Sequence, residues 1–304
     1  MPRVLLNDGL SASAIAALEK LGVEVDANHY TGDDLLAQLA KVDAVVVRSA
    51  TNLRDPEVDA AAAGGRCKLF IRGGVGIDNI NHKYAAEKGI SVRNTPGASS
   101  ASVAELVIAH MFAVSRWLPD ANVTMRQGQW NKKRYEGREL MGATLGVIGF
   151  GRIGKETAKR ALALGMKVVW TDSFADITGL ENTRRCGLDE LLKSSDYVTL
   201  NVPHAKGAPP LIGAAELAMM KPDAILVNCS RGGTVDEDAL LAALNADKLG
   251  GAGVDVFASE PAFNQALAAH PRVSVTPHIG AQTGGAQDRI GGEVVEIIAE
   301  VLGL

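Results

Sequence analysis

The stretch Thr144–Asp172, TLGVIGFGRIGKETAKRALALGMKVVWTD, places two short apolar runs on either side of a segment with helical periodicity. The first run predicts a β-strand at Thr144–Ile148, and the second predicts a β-strand at Lys167–Thr171. Between them, after a glycine-rich turn, apolar residues recur at helical spacing over about Arg152–Leu164. The stretch therefore predicts a strand–helix–strand unit whose two strands run parallel.

Three glycines lie in this turn with the spacing G-x-G-x-x-G, at Gly149, Gly151 and Gly154. The spacing alone carries little information, because the chain has 33 glycines. Between a strand and a helix it is specific: the first glycine permits the tight turn, the second lets a pyrophosphate approach, and the third lets the helix pack closely. Asp172 ends the second strand, where a carboxylate binds ribose hydroxyls and repels a 2′-phosphate. We therefore predict a dinucleotide site for NAD rather than NADP.

The same alternation of strands and helices continues on both sides of this unit. Upstream, runs such as RVLLN and DAVVVRS alternate with helical segments over about the first 95 residues. Downstream, the pattern predicts strands at Tyr197–Val202, Ala224–Cys229, Gly251–Val256 and Val273–Thr276. The sequence thus predicts an α/β fold with two Rossmann-like or flavodoxin-like parallel-sheet domains.

Two helices stand out from this pattern. An apolar helix is predicted from Ser99 to Leu118, ending before Pro119, with His110 as a packing residue in its middle. The final helix, EVVEIIAEVLG, is predicted to follow a cluster of glycines at Gly284, Gly285, Gly291 and Gly292.

The composition limits the classes of protein that the chain can represent. Its 304 residues, 47% of them hydrophobic, suffice for two domains of ordinary size. A net charge of −4 argues against a general nucleic-acid binder. The three cysteines, Cys67, Cys186 and Cys229, form no C-x-x-C pair, so neither disulfides nor a metal site is expected. Without an evident signal peptide or membrane span, a cytoplasmic protein is expected.

Three chemically active residues follow successive strands of the second domain. Arg231 follows AILVNCS, Glu260 follows GAGVDVFAS, and His278 follows VSVT. Ligands of open parallel sheets bind beyond the carboxyl ends of the strands, so the three side chains are expected at one edge. A histidine can take a hydroxyl proton as hydride leaves, a carboxylate stabilises the imidazolium, and a guanidinium binds a carboxylate or carbonyl. The set predicts hydride transfer at a 2-hydroxy or 2-oxo acid.

These residues lie in motifs that resemble the D-isomer-specific 2-hydroxyacid dehydrogenases. The motifs are VRSATNL, GVIGFGRIG, VNCSRGGTVDEDAL, GVDVFASEP and TPHIGA, and the resemblance covers essentially the whole chain. It implies an NAD-binding domain, residues 99–284, inserted into a discontinuous substrate domain of residues 1–98 and 285–304. It also implies a homodimer formed through the helix near residues 99–118.

The resemblance assigns roles to further residues. It implies that His278 is the acid/base, Glu260 its partner and Arg231 the substrate arginine. Implied cofactor contacts, besides the three glycines and Asp172, are Arg152 and Ile153 along the pyrophosphate, Asp255 at the nicotinamide carboxamide, Cys229 near the nicotinamide ring, and Val75, Val202, Pro203, Ser230 and Gly280. Implied substrate contacts are Arg48, Ser49, Arg72, Gly74 and Gly76.

The chain departs from the family pattern in two loops. Ser99 and Ser100 follow NTPGA where the family often has an asparagine, so a contact there is in doubt. The loop NVPHAKGAPPLIG contains His204 and a double proline in place of a more polar stretch. His204 is interpreted as a loop residue facing water, with the adenine pocket as the alternative.

Basic residues bear on the choice of substrate. Arg48 and Arg72, with the cluster Lys132, Lys133 and Arg134, suit a substrate with two or three negative charges, although such a cluster is also typical of a solvated surface. The likeness is greatest to the phosphoglycerate dehydrogenases, so oxidation of 3-phospho-D-glycerate, the first step of serine biosynthesis, is predicted. Because the sequence ends at Leu304, no regulatory domain and no feedback by serine are expected.

Two alternatives stay open at the level of sequence. One is a hydroxypyruvate or glyoxylate reductase on the same fold, which would prefer small unphosphorylated acids. The other is an NAD-sensing binding protein resembling a corepressor, which would bind NADH and turn over no acid.

Overall fold

A computed structural model describes residues 1–205 and 207–304 of the chain. Contacts between Cα atoms divide the chain into two compact units. The first unit contains residues 1–99 and 281–304, and the second contains residues 100–280. The predicted domain boundaries, at 98/99 and 284/285, lie near these positions.

The first unit contains a five-stranded parallel sheet. Its strands are β1 (Arg3–Leu6), β2 (Glu24–Asp26), β3 (Ala44–Val47), β4 (Leu69–Arg72) and β5 (Ser91–Asn94), and the order across the sheet is β2-β1-β3-β4-β5. The helices between them are α1 (Ala12–Lys20), α2 (Gly32–Leu39), α3 (Asp55–Ala63) and α4 (His82–Glu87). The central strands are continuous apolar runs because helices cover both faces of such a sheet.

The second unit contains a seven-stranded parallel sheet. Its strands are β6 (Thr144–Ile148), β7 (Lys167–Thr171), β8 (Thr183–Arg185), β9 (Tyr197–Leu200), β10 (Ile225–Asn228), β11 (Gly251–Val254) and β12 (Val273–Val275). Its helices are α5 (Ser100–Ser115), α6 (Leu118–Arg126), α7 (Arg152–Ala163), α8 (Leu188–Ser194), α9 (Ala214–Met219), α10 (Glu237–Asn245) and α11 (Gln265–Ala268). The order across the sheet is β12-β11-β10-β9-β6-β7-β8. From β6 the chain adds β7 and β8 on one side and then returns to add β9 to β12 on the other side. In open α/β sheets, such a reversal marks the ligand-binding crevice.

A first helix occupies most of the span predicted from Ser99 to Leu118, and a second helix begins at Leu118. The first, α5, ends at Ser115, and Trp117 then adopts a left-handed backbone with φ of 55°. The second helix, α6, begins at Leu118 and has Pro119 in its first turn. Proline is favoured at that position because its missing N–H has no helical partner there. Helix α5 ends before Pro119, as predicted, and Pro119 itself belongs to the first turn of α6.

The glycine cluster before the predicted final helix lies inside that helix. The last helix, α12, spans Gly284–Leu302 and packs against α1 within the first unit. A Cβ on Gly291 would lie only 2.7 Å from the Cβ of Ala14, so this glycine permits the close approach of the two helices. Tertiary packing outweighs the low helix propensity of glycine here.

The sequence pattern does not predict one short strand of the second unit. This strand, β8, has three residues and lies at the edge of the sheet. Across the described part of the chain, no helix alone has the length and apolar character to cross a membrane. Helices α5 and α6 pass that test only as a pair, and the pair is bent by 64°.

Candidate active site

The glycine-rich turn between β6 and α7 leaves no room for side chains at two positions. The backbone of Gly149 has φ of 85°, and a Cβ there would lie 2.5 Å from the carbonyl oxygen of Asn201. A Cβ on Gly154 would lie 2.2 Å from the carbonyl oxygen of Gly149. Glycine at both positions lets the turn pass close to the end of β9 and lets α7 pack beneath the turn.

The N-terminus of α7 is open to a ligand. Its N-cap residue, Gly151, offers no capping side chain, and a Cβ there would meet no atom of another described residue within 4 Å, its chain neighbours and the helix backbone aside. Arg152 and Ile153 form the first helical positions. The first N–H groups of a helix and its dipole together favour an anion. The residues present therefore fit the pyrophosphate of NAD.

Asp172 lies directly beside this turn. Its Oδ2 accepts a hydrogen bond from the backbone N–H of Phe150 at 2.6 Å, and its Oδ1 accepts one from Phe174 at 3.0 Å. Phe150 is buried and stacks on Trp170, with ring centroids 4.3 Å apart. The carboxylate thus holds the turn in place, a role that the sequence did not indicate. The predicted contact with the ribose stays a prediction.

Other predicted cofactor residues of this unit follow neighbouring strands. Val202 and Pro203 follow β9, and Cys229 and Ser230 follow β10. Burial raises the pKa of the Cys229 thiol well above its ordinary value, so the side chain stays neutral. Asn201 was not singled out from the sequence, yet its buried Nδ2 has no hydrogen-bond partner among the described residues. Such an orphaned donor at this edge suits a polar ligand.

His278 lies in the turn after β12 and has a left-handed backbone, with φ of 54°. Its Nδ1 lies 2.8 Å from Oε2 of Glu260, and both side chains are 38% exposed. An ionised carboxylate only accepts hydrogen bonds, so Nδ1 carries the proton in the neutral ring. Nε2 is then the basic nitrogen.

Glu260 is held by a second hydrogen bond. Its Oε1 accepts the backbone N–H of Phe257 at 3.0 Å. Burial by itself would raise the pKa of Glu260, but the hydrogen bonds from His278 and Phe257 and the positive charge of Arg231 outweigh it. The pKa of Glu260 therefore lies below its ordinary value, and the carboxylate is charged at neutral pH.

Arg231 lies half-buried in the loop after β10. The side chain of Asn228 shapes this loop, because its Nδ2 donates to the carbonyl of Arg231 at 3.0 Å and its Oδ1 accepts from the N–H of Ser230 at 3.1 Å. A Cβ on Gly232 would lie 1.8 Å from the carbonyl oxygen of Phe257. The loop that carries Arg231 therefore packs directly against the loop that carries the carboxylate partner.

Asp255 lies beneath the turn that carries His278 and is 1% exposed. Its carbonyl accepts the N–H of His278 at 2.8 Å. Its Oδ1 accepts from the hydroxyl of Thr276 and the N–H of Ile279, and its Oδ2 accepts from the N–H of Gly280 at 3.0 Å. Burial raises the pKa of Asp255, and these hydrogen bonds offset part of that increase. The carboxylate thus accepts hydrogen bonds that hold the turn, while its predicted contact with the nicotinamide carboxamide stays a prediction.

The predicted substrate residues belong to the first unit. Arg48 follows β3, and its N–H donates to Asp8 at 2.6 Å; burial lowers the pKa of its guanidinium, and the charge of Asp8 opposes this. The guanidinium of Arg72, at the end of β4, lies over Gly74, where a Cβ would be 1.5 Å from Nη1. The remaining predicted residues lie in the loops after these strands: Ser49, Val75 and Gly76.

The basic cluster Lys132–Arg134 and His204 lie in connecting segments of the second unit. The cluster Lys132–Arg134 forms a short 3-10 turn on the surface, and Arg134 pairs with Asp120 at 3.4 Å. His204 is half-buried, with its ring against Gly233. Lys206, in the same loop, lies outside the described residues.

Sequence reasoning missed several residues that support this edge of the sheet. Glu237 accepts the N–H of Ala258 at 2.6 Å, in the loop that leads to the carboxylate partner. The hydroxyl of Ser102, on α5, donates to the carbonyl of Gly280 at 2.7 Å. Asparagine and acidic residues at strand ends are recognisable turn and cap signals. The long-range bond of Ser102 has no such local signal.

Comparisons with known proteins agree with this geometry. Residues 108–280 match the family described as D-isomer specific 2-hydroxyacid dehydrogenase, NAD binding domain. The chain is 44% identical over 306 residues to a hydroxypyruvate reductase of Thermotoga maritima, with 99% of both chains covered. It is 41% identical over 307 residues to a D-3-phosphoglycerate dehydrogenase of Methanocaldococcus jannaschii, covering 99% of this chain but 58% of that protein. A solved glyoxylate reductase from Paecilomyes thermophila matches with a TM-score of 0.87 and 29% identity, over 98% of this chain and 95% of that one.

Proposed function

This chain belongs to the D-isomer specific 2-hydroxyacid dehydrogenases, which are NAD-dependent enzymes, and we propose that it oxidises 3-phospho-D-glycerate to 3-phosphooxypyruvate. The observation that carries the chemistry is the 2.8 Å contact between Nδ1 of His278 and Oε2 of Glu260. It leaves a basic imidazole nitrogen at the same sheet edge as a helix N-terminus that fits pyrophosphate.

Each residue of this edge has a defined task in the proposed reaction. Bound NAD supplies the acceptor for the hydride that leaves C2 of the hydroxy acid. Nε2 of His278 takes the proton of the 2-hydroxyl group, and Glu260 stabilises the resulting imidazolium. In the reverse direction the imidazolium returns this proton to the oxygen of the 2-oxo acid. Arg231 binds the substrate carboxylate or polarises the carbonyl through its planar guanidinium.

Charge supports a phosphorylated substrate. A phosphate monoester carries a charge of about −1.5 to −2 at neutral pH, in addition to the carboxylate. Arg48 and Arg72, at the ends of β3 and β4, offer two permanent positive charges for it. The 41% identity to a D-3-phosphoglycerate dehydrogenase supports the same choice. The backbone of Ser49, Gly74 and Gly76 would complete the contacts in this proposal.

A specific observation favours a second candidate, the reduction of hydroxypyruvate. The hydroxypyruvate reductase is 44% identical to this chain, and the match covers 99% of that enzyme's length. Hydroxypyruvate is the same oxo acid without the phosphate, so the chemistry at His278 would be unchanged. The two substrates would differ only in the distal group that Arg48 and Arg72 meet, which is a phosphate in one and a hydroxyl group in the other.

Substrate preference separates these candidates. NADH absorbance is followed with 3-phosphooxypyruvate, hydroxypyruvate and glyoxylate, and NAD reduction with 3-phosphoglycerate, D-glycerate and D-lactate. We expect kcat/KM for the phosphorylated acid to exceed that for hydroxypyruvate by roughly 100-fold, since charge-assisted hydrogen bonds each contribute about 1.5–3 kcal/mol. Arg48→Gln should reduce this ratio. An equal or greater kcat/KM for hydroxypyruvate would establish the second candidate, and NADH binding without any turnover would point to a sensor.

We also propose a homodimer that works in serine biosynthesis in the cytoplasm. Large apolar side chains are exposed on the second unit at Leu118, Val123, Met125, Trp130 and Met141. Exposed apolar side chains support an interface, but these five lie outside α5, whose apolar side chains Val103, Val107 and Met111 are buried within the unit. Sedimentation of the wild type and of Trp130→Ser should give a dimer and a weakened dimer, respectively.

The three unpaired cysteines support the proposed location in the cytoplasm, because it is a reducing compartment.

A further inference from the structure

A buried chain of hydrogen bonds runs from helix α5 to the turn that carries His278. Nδ1 of His110 lies 2.9 Å from the hydroxyl of Ser274, and its Nε2 lies 3.1 Å from the hydroxyl of Thr276. The Thr276 hydroxyl in turn donates to Oδ1 of Asp255 at 2.5 Å. His110 is 2% exposed and Asp255 is 1% exposed, and Thr276 between them is half-buried.

The chemistry of the chain determines its direction. Because the single proton of the Thr276 hydroxyl is donated to Asp255, the hydroxyl oxygen must accept the proton of Nε2 of His110. Burial lowers the pKa of His110 to about 4, so the ring is neutral near pH 7. Its Nδ1 is then bare and accepts the hydroxyl proton of Ser274. The hydrogen bonds therefore run in one direction, from Ser274 through His110 and Thr276 to the carboxylate of Asp255.

The sheet is shaped to receive this imidazole. A Cβ on Gly253, in strand β11, would lie 2.6 Å from the Cβ and 2.9 Å from the Cγ of His110. Gly253 pairs with Ser274 on β12, so the ring of His110 lies over a glycine and reaches the neighbouring strand. A larger residue at position 253 would displace the ring.

The far end of the chain holds the backbone of His278. The carbonyl of Asp255 accepts the N–H of His278, and its carboxylate accepts the N–H groups of Ile279 and Gly280. A left-handed backbone is unfavourable for a non-glycine residue and persists only where its surroundings enforce it. His278 has such a backbone, with φ of 54°. The orientation of Asp255 therefore governs the aim of the imidazole.

We propose that His110 is a positioning residue for His278, acting through Thr276 and Asp255. The inference rests on the proposed role of His278 as the acid/base. It assigns to a histidine of the apolar helix a task beyond packing: its Nε2–H fixes the hydroxyl of Thr276, and that hydroxyl fixes one oxygen of Asp255.

Two substitutions at His110 separate positioning from packing. His110→Phe keeps the ring volume and removes both hydrogen bonds, whereas His110→Gln keeps an N–H donor for Thr276. With the best oxo acid of the substrate panel, we expect His110→Phe to lower kcat about 10- to 100-fold, and its KM for NADH to change by less than about threefold. His110→Gln should recover most of kcat. Equal loss in both variants, or wild-type kcat in His110→Phe, would overturn the inference.

A second pair of measurements tests the chain from its other end. Thr276→Val removes the hydroxyl with little change in shape, and it serves if His110→Phe does not fold. The double variant His110→Phe/Thr276→Val should lose no more kcat than the worse single variant, because both break the same link. Multiplicative losses would show that the two residues act separately and would contradict the chain.

A spectroscopic readout makes the test independent of turnover. In protein labelled with histidine carrying 13C only at Cε1, six ring signals are expected from the six histidines, and His278→Asn identifies that of His278. The signal should shift or broaden in His110→Phe and return in His110→Gln; an unchanged signal would refute positioning. If His278→Asn retains kcat, the proposed acid/base role fails. If it abolishes kcat while His110→Phe does not lower it, only the positioning inference fails.

Discussion

Nδ1 of His278 lies 2.8 Å from Oε2 of Glu260, although the two residues are 18 positions apart and follow different strands. Glu260 follows β11 and His278 follows β12, which pair in parallel register. Parallel neighbours bring their carboxyl ends to the same edge of the sheet. The contact joins two residues that are distant in sequence and fixes the tautomer of the His278 imidazole.

Replacement of Glu260 by glutamine should impair the chemical step selectively. A neutral amide cannot stabilise the imidazolium, so kcat should fall roughly 100-fold or more while the Kd of NADH changes about twofold at most. Stopped-flow turnover and NADH fluorescence measure the two quantities. Glu237→Gln is the matched control, because Glu237 accepts the N–H of Ala258 in the same loop without touching the imidazole. Equal losses in both variants would mean that Glu260 serves only the shape of the loop.

Replacement of Asp172 by asparagine should reduce the discrimination between NAD and NADP. The substitution removes the charge that repels a 2′-phosphate, while one amide oxygen can still accept the N–H of Phe150. We expect the ratio of kcat/KM for NAD over NADP to fall by about tenfold or more, since one unit of charge near a phosphate is worth at least ~1.4 kcal/mol. Asp172→Ala is the comparison, because it removes the acceptor as well and should further weaken binding of both cofactors. An unchanged ratio in Asp172→Asn would assign the residue to the turn alone.

Most strands of the second unit were predictable because they are buried and parallel. Such strands are nearly continuous apolar runs bounded by turn residues, and β6 and β7 have the predicted limits, Thr144–Ile148 and Lys167–Thr171. The end of α5 was not predictable in the same way. Its break depends on a left-handed backbone at Trp117, a residue type without local preference for that conformation.

The same distinction applies to the candidate site: some of its residues follow from local sequence patterns and others do not. The positions of Arg231, Glu260 and His278 after successive strands follow from local patterns and a general rule for parallel sheets. The hydrogen bond from His110 to Thr276 joins residues 166 positions apart, and a histidine within an apolar helix has no local signal for it. Sequence reasoning therefore reaches the residues at strand ends and misses those that support them from another element.

Stability should depend on pH through His110. Burial lowers the pKa of its ring to about 4 in the folded state, whereas the unfolded chain has the ordinary value of about 6.5. Between these pH values the unfolded state binds more protons, so stability rises with pH in this window and is lost as the pH falls. The shift corresponds to roughly 3 kcal/mol between pH 7 and pH 4.

Urea unfolding of the wild type and of His110→Gln at several pH values isolates this contribution. All other titrating groups are common to both proteins, so they cancel in the difference between the two unfolding free energies. That difference should move against the wild type as the pH falls from 7 to 4. A difference that is independent of pH would show that the ring has the same pKa in the folded and unfolded states.

Two adjacent glycines of α12 should respond to alanine in opposite directions. A Cβ on Gly291 would lie 2.7 Å from both the Cβ of Ala14 and the Oγ of Ser11, so Gly291→Ala must push α12 away from α1. We expect it to destabilise the first unit by about 1–3 kcal/mol, as overpacking does. Among the described residues, a Cβ on Gly292 would meet nothing within 4 Å beyond its own helix backbone, so Gly292→Ala should stabilise the same helix by about 0.5–1 kcal/mol through helix propensity. Thermal unfolding of the two variants beside the wild type measures both effects. A common direction of change would show that the spacing of α1 and α12 does not depend on the missing side chain at position 291.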